Sequence, residues 1–156
     1  MVMATKLNSY LNNEGVAYKL TSHSHTGSSM ETAEAAHIPG KCLAKAVVVK
    51  DEQGYLMVVI PSIYHVDLSA LHKHLQRPLG LATETELKTL FPDCEIGAIP
   101  ALGAAYGIET VWDSALADQP EVYFEGGDHE VVVHMTGEQF QKLMVTARRG
   151  QFSRHL

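Results

Sequence analysis

LAKAVVVKDEQGYLMVVIP, residues 43–61, decides the fold. Two short apolar runs, 43–50 and 55–61, are rich in Val and Ile and are separated by the turn 51–54. Runs of this length and composition at hairpin separation read as two central antiparallel strands. Towards the N-terminus, Leu7, Tyr10 and Leu11 recur at helical spacing, with Gly15 placed to cap the helix end. Residues 16–23 alternate apolar and polar side chains and predict a half-buried strand. Ser28 and Glu31 then have the spacing of a capping box, opening a helix that Pro39 and Gly40 stop.

Beyond the hairpin, Asp67 caps a helix whose Leu68, Leu71 and Leu75 share one face, and Thr83 with Glu86 forms a second capping box. Three further strands are expected over 108–113, 121–127 and 130–135, followed by a closing helix capped by Thr136. Strands and helices in this order do not form a regular βαβ repeat. The expected fold is α+β, a single domain with a mixed or barrel-like sheet surrounded by helices.

The chain has 156 residues and no linker or repeat, so one domain is expected over 1–156. Arg148, Arg149 and Arg154 beside Gly150 suggest a flexible basic tail over 148–156. A net charge of −6 disfavours any protein that grips long nucleic-acid backbones, DNA included, while leaving contact with one nucleotide end open. No apolar run approaches the roughly 20 residues of a membrane span, and the first residues do not read as a signal peptide. No membrane contact and a cytoplasmic location are therefore expected. Cys42 and Cys94 form no CxxC pair and are expected to be reduced.

Lys45 interrupts an apolar strand, so its amine either faces solvent or enters a cleft where a point charge can bind a carbonyl, phosphate or hydroxyl. Residues 97–107 lack the spacing of a nucleotide-binding phosphate loop. Their glycines can still adopt positive φ and aim backbone N–H groups at a ligand, or they can simply make a tight connection. His23 and His25 have no third ligand at a recognisable spacing, so no metal is expected. Neither Ser nor Cys sits in a nucleophile motif. The turn from Gly126 through Gly127, Asp128 and His129 to Glu130 is polar and joins two strands.

Taken together, AKAVVVK, GAIPALG, VWDSAL and FEGGDHEVVVHMTGEQFQKL, in that order, resemble the YbaK/prolyl-tRNA synthetase-associated domain family. The likeness runs over nearly the whole chain. It implies a free-standing domain that removes a wrong amino acid from tRNA without metal or organic cofactor, and it makes Lys45, Gly97 and Ala98 the catalytic group. In that reading Lys45 holds the aminoacyl ester or terminal adenosine, and the backbone N–H groups of Gly97 and Ala98 bind the substrate carbonyl or a water. Gly103 closes the same loop, and Ile99 and Pro100 bind substrate with it. Gly127, Asp128 and His129 lie beside the amino-acid pocket, and Asp113 is structural. The resemblance also implies a mechanism that leans on the substrate's own ribose hydroxyl and an ordered water rather than on a protein nucleophile.

The implied partners are the 3′ end of a mischarged aminoacyl-tRNA and an aminoacyl-tRNA synthetase, with a homodimer as one possible assembly. Ala101 and Leu102, and the pair Asp128 and His129, depart from the family pattern, which leaves the amino acid open. The alternative from a different class is a non-catalytic module of the same fold that binds tRNA, a synthetase or a small molecule.

Overall fold

A computed structural model describes residues 3–154. The chain runs α1 (Thr5–Glu14), β1 (Lys19–Ser22), α2 (Ser29–Ala35), a 3-10 turn (Gly40–Cys42), β2 (Leu43–Asp51), β3 (Gly54–Pro61), β4 (His65–Val66), α3 (Leu68–Leu75), β5 (Gly80–Leu81) and α4 (Glu84–Leu90). It continues through a second 3-10 turn (Gly103–Tyr106), β6 (Glu109–Asp113), α5 (Ser114–Ala117), β7 (Glu121–Glu125), β8 (Val131–Thr136), α6 (Gly137–Leu143), β9 (Arg148–Gly150) and β10 (Ser153–Arg154).

The expected hairpin is the centre of the molecule, with Ala44 opposite Pro61 and Asp51 opposite Gly54. Around it an eight-stranded mixed sheet has the order β1-β8-β7-β2-β3-β6-β9, and β5 also pairs with β2. This is the α+β single domain that the sequence predicts. Strand alternation separates the two faces. Ala44 and Val48 join Leu7 and Leu11 of α1, Phe124 of β7 and Phe140 of α6 in one core. Leu43 packs with Ala33 of α2 and Val132 of β8, and Val49 packs with Leu71 of α3 and Phe152. The opposite face of the sheet therefore carries two separate clusters, and Lys45 stands between them along β2.

Local caps explain the helix starts. Thr83 accepts from the Glu86 N–H and the Glu86 carboxylate accepts from the Thr83 N–H, completing the capping box. At α2 the box is displaced by one residue: Ser28 accepts from Glu31 N–H, but the Glu31 carboxylate accepts from Gly27 N–H at 2.8 Å. Gly15, at φ 66°, ends α1 in the left-handed conformation.

Residues 148–154 are not a loose tail. Arg148–Gly150 pairs in parallel with β6, and Ser153–Arg154 pairs with β4. Phe152 is fully buried between them, and the buried Asp113 carboxylate accepts from its N–H at 2.9 Å and from the Ser153 hydroxyl at 2.7 Å. An aromatic anchor and a buried acceptor outweigh the three arginines that suggested a solvated end. His155 and Leu156, the last two residues of that expected tail, lie outside the described residues. Among the described residues no helix is long and apolar enough to cross a membrane.

Candidate functional site

The site begins where β2 forks. On the edge facing away from β3, β2 pairs with β7 only at Leu43 and Ala44, and with β5 only at Val49 and Lys50. In an antiparallel ladder successive residues bond to alternate sides. Ser62 N–H bonds Leu43 C=O, so Lys45 and Val47 bond towards β3 and the amide of Ala46 turns towards the opening. A cleft of about 430 Å³ occupies the fork. Its walls are residues 27–30 at the start of α2, Lys45, Ala46 and Ser62 on the hairpin, Glu84 and Leu87 of α4, and Ile96, Gly97 and Ile99 of the glycine loop.

Lys45 is half-buried at this opening, and its Nζ donates to the Ser62 carbonyl at 3.3 Å. Burial lowers its pKa from the ordinary lysine value. Its position thus combines partial desolvation with a place on the cleft wall.

Across the fork, Gly97 is exposed at φ 84°, a conformation that favours glycine. Its N–H has no hydrogen-bond partner among the described residues. The loop before it is held from behind. Glu95 N–H donates to the Gly127 carbonyl at 2.7 Å, and His129 Nε2 donates to the Ile96 carbonyl at 2.6 Å. His129 is 3% exposed, has φ 61°, and meets the exposed His25 ring edge-on at 5.6 Å. His25 in turn pairs with Glu95 at 3.0 Å. The Asp128 carboxylate accepts from Glu130 and Val131 N–H groups, both at 2.9 Å, which shapes the turn.

The remaining expectations divide. Ile99 lines the cleft. Ala98 is fully buried and its N–H donates to the Glu95 carbonyl at 3.1 Å, so it has no free donor for a ligand. Pro100 is buried behind the loop and does not line the cleft. Gly103 belongs elsewhere: it lines a cavity of about 510 Å³ with Arg77 and Arg148, and its carbonyl caps the second 3-10 turn by accepting from Ile108 N–H. Arg77 is already engaged by both Asp51 oxygens, each at 2.8 Å. Gly127, Asp128 and His129 support the loop from below and do not form the cleft wall. Turn glycines mark backbone freedom, whereas the tertiary fold decides which cavity that freedom serves.

Burial pushes the Cys94 thiol up to about 12 and raises that of Cys42 as well, so neither is poised as a nucleophile. Of the three cleft serines, Ser62 donates to the Gly40 carbonyl at 2.8 Å, Ser28 caps α2, and Ser29, the first residue of α2, has no basic side chain bonded to it among the described residues. His134 pairs with Glu121 at 2.8 Å and stacks on Tyr123, and among the described residues no group of three His, Cys, Asp or Glu side chains is placed to hold a metal ion. One residue escaped sequence reasoning. Glu125 is 1% exposed, and its carboxyl has a pKa raised to about 7, chiefly by burial. In sequence it looks like the polar member of an alternating strand end, and only α2 lying over that face buries it.

A family model for the aminoacyl-tRNA editing domain matches residues 23–143, a span containing every wall of the cleft. No curated protein matches the sequence. Among solved structures, a candidate trans-editing enzyme for prolyl tRNA synthetase superposes with a TM-score of 0.84 at 22% identity, covering 97% of this chain and 96% of that one. A scaffold protein used in epitope backbone grafting gives 0.83 at 18% identity, covering 98% and 97%. A candidate signal transduction protein from Marinobacter aquaeolei VT8 gives 0.77 at 23% identity, covering 97% of this chain but 31% of that one. At these identities the likenesses concern the fold.

Proposed function

The chain belongs to the aminoacyl-tRNA editing domain family, and from that premise we propose that it is a hydrolase acting in trans on the ester between a wrong amino acid and the 3′ end of its tRNA. The observation that carries this reading is the placement on the walls of one cleft of half-buried Lys45 and of Gly97, whose N–H has no partner among the described residues. In the reaction, water adds to the ester carbonyl carbon, negative charge develops on the carbonyl oxygen, and the bond from that carbon to the ribose oxygen breaks. The proton lost by the water ends on the ribose oxygen, releasing the free amino acid and the tRNA hydroxyl.

An ammonium and a fixed N–H donor are the groups needed where that charge develops, and both act more strongly in a partly desolvated cleft than in water. Lys45 would exchange its bond to the Ser62 carbonyl for one to the substrate. Ala98 takes no part as a donor, so the backbone contribution rests on Gly97. No side chain lining the cleft is activated as a nucleophile, which leaves the attack to water, positioned by the adjacent ribose hydroxyl of the substrate. Gripping only the 3′ end suits a protein of net charge −6. The expected partners are the mischarged tRNA and the synthetase that produces it, and the setting is the cytoplasm, where translation occurs.

The test is deacylation of alanyl, seryl, threonyl and cysteinyl tRNA esters by wild type and Lys45→Ala, each checked for folding by circular dichroism. Release of one amino acid by wild type alone supports the reading and names the substrate. No release from any ester by folded wild type replaces it with a non-catalytic module that binds tRNA, a synthetase or a small molecule.

A further inference from the structure

The geometry points to Glu125 as the positioning residue of the cleft: its buried carboxyl, acting through Thr32 and Thr26, sets where the wall formed by residues 27–30 stands against Gly97. Glu125 lies one residue beyond the last β2 to β7 pair, Ala44 with Phe124, so it is in register with Lys45 at the point where the strands part. Parallel register puts the two side chains on the same face, yet they do not pair, because Lys45 is bound to the Ser62 carbonyl. Among the described residues neither Glu125 oxygen has a hydrogen-bond partner of good geometry, although the Thr32 hydroxyl is close enough to lower the carboxyl's pKa.

Thr32 is fully buried, and its hydroxyl lies 2.7 Å from that of Thr26. Thr26 N–H bonds the His129 carbonyl, and the next residue, Gly27, lines the cleft. The Gly27 carbonyl comes within 3.2 Å of the place where a side chain on Gly97 would begin. A chain of contacts thus runs from Glu125 through two threonines to the wall facing the catalytic glycine.

The surroundings favour the neutral carboxyl. From β8 the opposing residue is Val132, from α2 the neighbour is Thr32, and the turn after β7 contributes Asp128, whose charge raises the Glu125 pKa further. Lys45, the cation in register on β2, is engaged elsewhere. Protonated, Glu125 carries no charge and needs only a small shift to donate to the Thr32 hydroxyl, so the wall is held. Ionised, it leaves a charge in the protein interior with one hydroxyl beside it and Asp128 opposing, and the first turn of α2 must give way to admit water.

The effect on catalysis rests on reading the Lys45 cleft as the ester site, whereas the effect on the wall does not. The experiment therefore measures two things in wild type, Glu125→Gln and Glu125→Leu between pH 5.5 and 8.5. These are amide exchange protection factors at Thr26 and Thr32, whose N–H groups bond the His129 and Ser28 carbonyls, and kcat/KM for the ester that the tRNA panel identifies. With an ionisation near pH 7, about one-tenth of wild type stays protonated at pH 8.

Wild-type protection at Thr26 and Thr32 should then fall about tenfold between pH 6 and pH 8, while Glu125→Gln keeps its pH 6 protection throughout. The kcat/KM ratio of Glu125→Gln to wild type should climb towards about tenfold at pH 8. Glu125→Leu, which has no group for Thr32, should show low protection and a raised KM at every pH. Wild-type protection that does not change with pH, or Glu125→Gln indistinguishable from wild type throughout, overturns the proposal. If protection shifts as described but no variant cleaves any ester, the positioning role stands and the hydrolase reading falls.

Discussion

Gly97 and His129 are fitted to each other: a Cβ on Gly97 would stand 3.2 Å from His129 Cε1, and the same ring donates to the carbonyl of the residue before Gly97 at 2.6 Å. The free N–H on one side of the loop is held in place by an imidazole on the other. Gly97→Ala should therefore fail twice, through the strained φ of 84° and through the crowding against His129 and the Gly27 carbonyl. A loss of about 1–2 kcal/mol in urea denaturation is expected, together with at least a tenfold drop in kcat/KM. Unchanged kinetics in a folded Gly97→Ala protein would remove the loop from the mechanism.

His129→Phe keeps a ring of similar size but deletes the donor to the Ile96 carbonyl. The expected cost is about 1 kcal/mol, with faster amide exchange over residues 95–98 and reduced turnover. Equal exchange in both proteins would mean that the Glu95 to Gly127 bond alone holds the loop.

Burial lowers the pKa of Lys45, so folding disfavours its charge. That penalty is present at neutral pH and disappears as the pH climbs through the folded pKa towards the unfolded value of 10.5. Lys45→Met should consequently be inactive yet at least as stable as wild type at pH 7, and its relative stability should decline as the pH approaches 10.5. Wild-type activity should fall along an alkaline limb as the amine loses its proton. Denaturation midpoints and a kcat/KM profile check both limbs, and a Lys45→Met protein destabilised at pH 7 would contradict the desolvation argument.

Gly103→Ala separates the glycine loop's structural half from its chemical half. The new methyl group would collide with the Thr110 hydroxyl and come 2.8 Å from the Ile108 carbonyl. Overpacking of this kind costs about 1–3 kcal/mol. Because Gly103 lies outside the cleft, kcat/KM of the folded fraction should stay within about twofold of wild type, given how small coupling is between separated sites. A large kinetic defect with normal stability would put Gly103 back beside the substrate.

The hairpin and the longer helices were legible because periodicity and caps act within a few residues: Val48 and Val58 mark strands, and Thr83 with Glu86 marks a helix start. The short elements β4, β5, β9, β10 and α5 carry no period to read. In the site, Lys45 and Gly97 stand out as local anomalies, a charge within a strand and a glycine within an apolar run. The fork was not legible, since it arises from β5 and β7 sharing one edge of β2 from distant parts of the chain. For the same reason Glu125 reads as surface until α2 covers it, and residues 127–129 read as pocket until the loop is seen resting on them.

The partners along the sheet also set an order of assembly. β2 and β3 are joined by a two-residue turn and can pair as soon as both exist, but Lys19 finds His134 only after more than a hundred intervening residues have been made. Contacts of such long range are slow to form. The cleft needs the hairpin, the 94–97 loop and the strand ending at Glu125 all in place, so it matures after the nucleus from which it opens. In a nascent chain carrying Lys45 the fork is therefore incomplete until β7 has been made and has paired with β2.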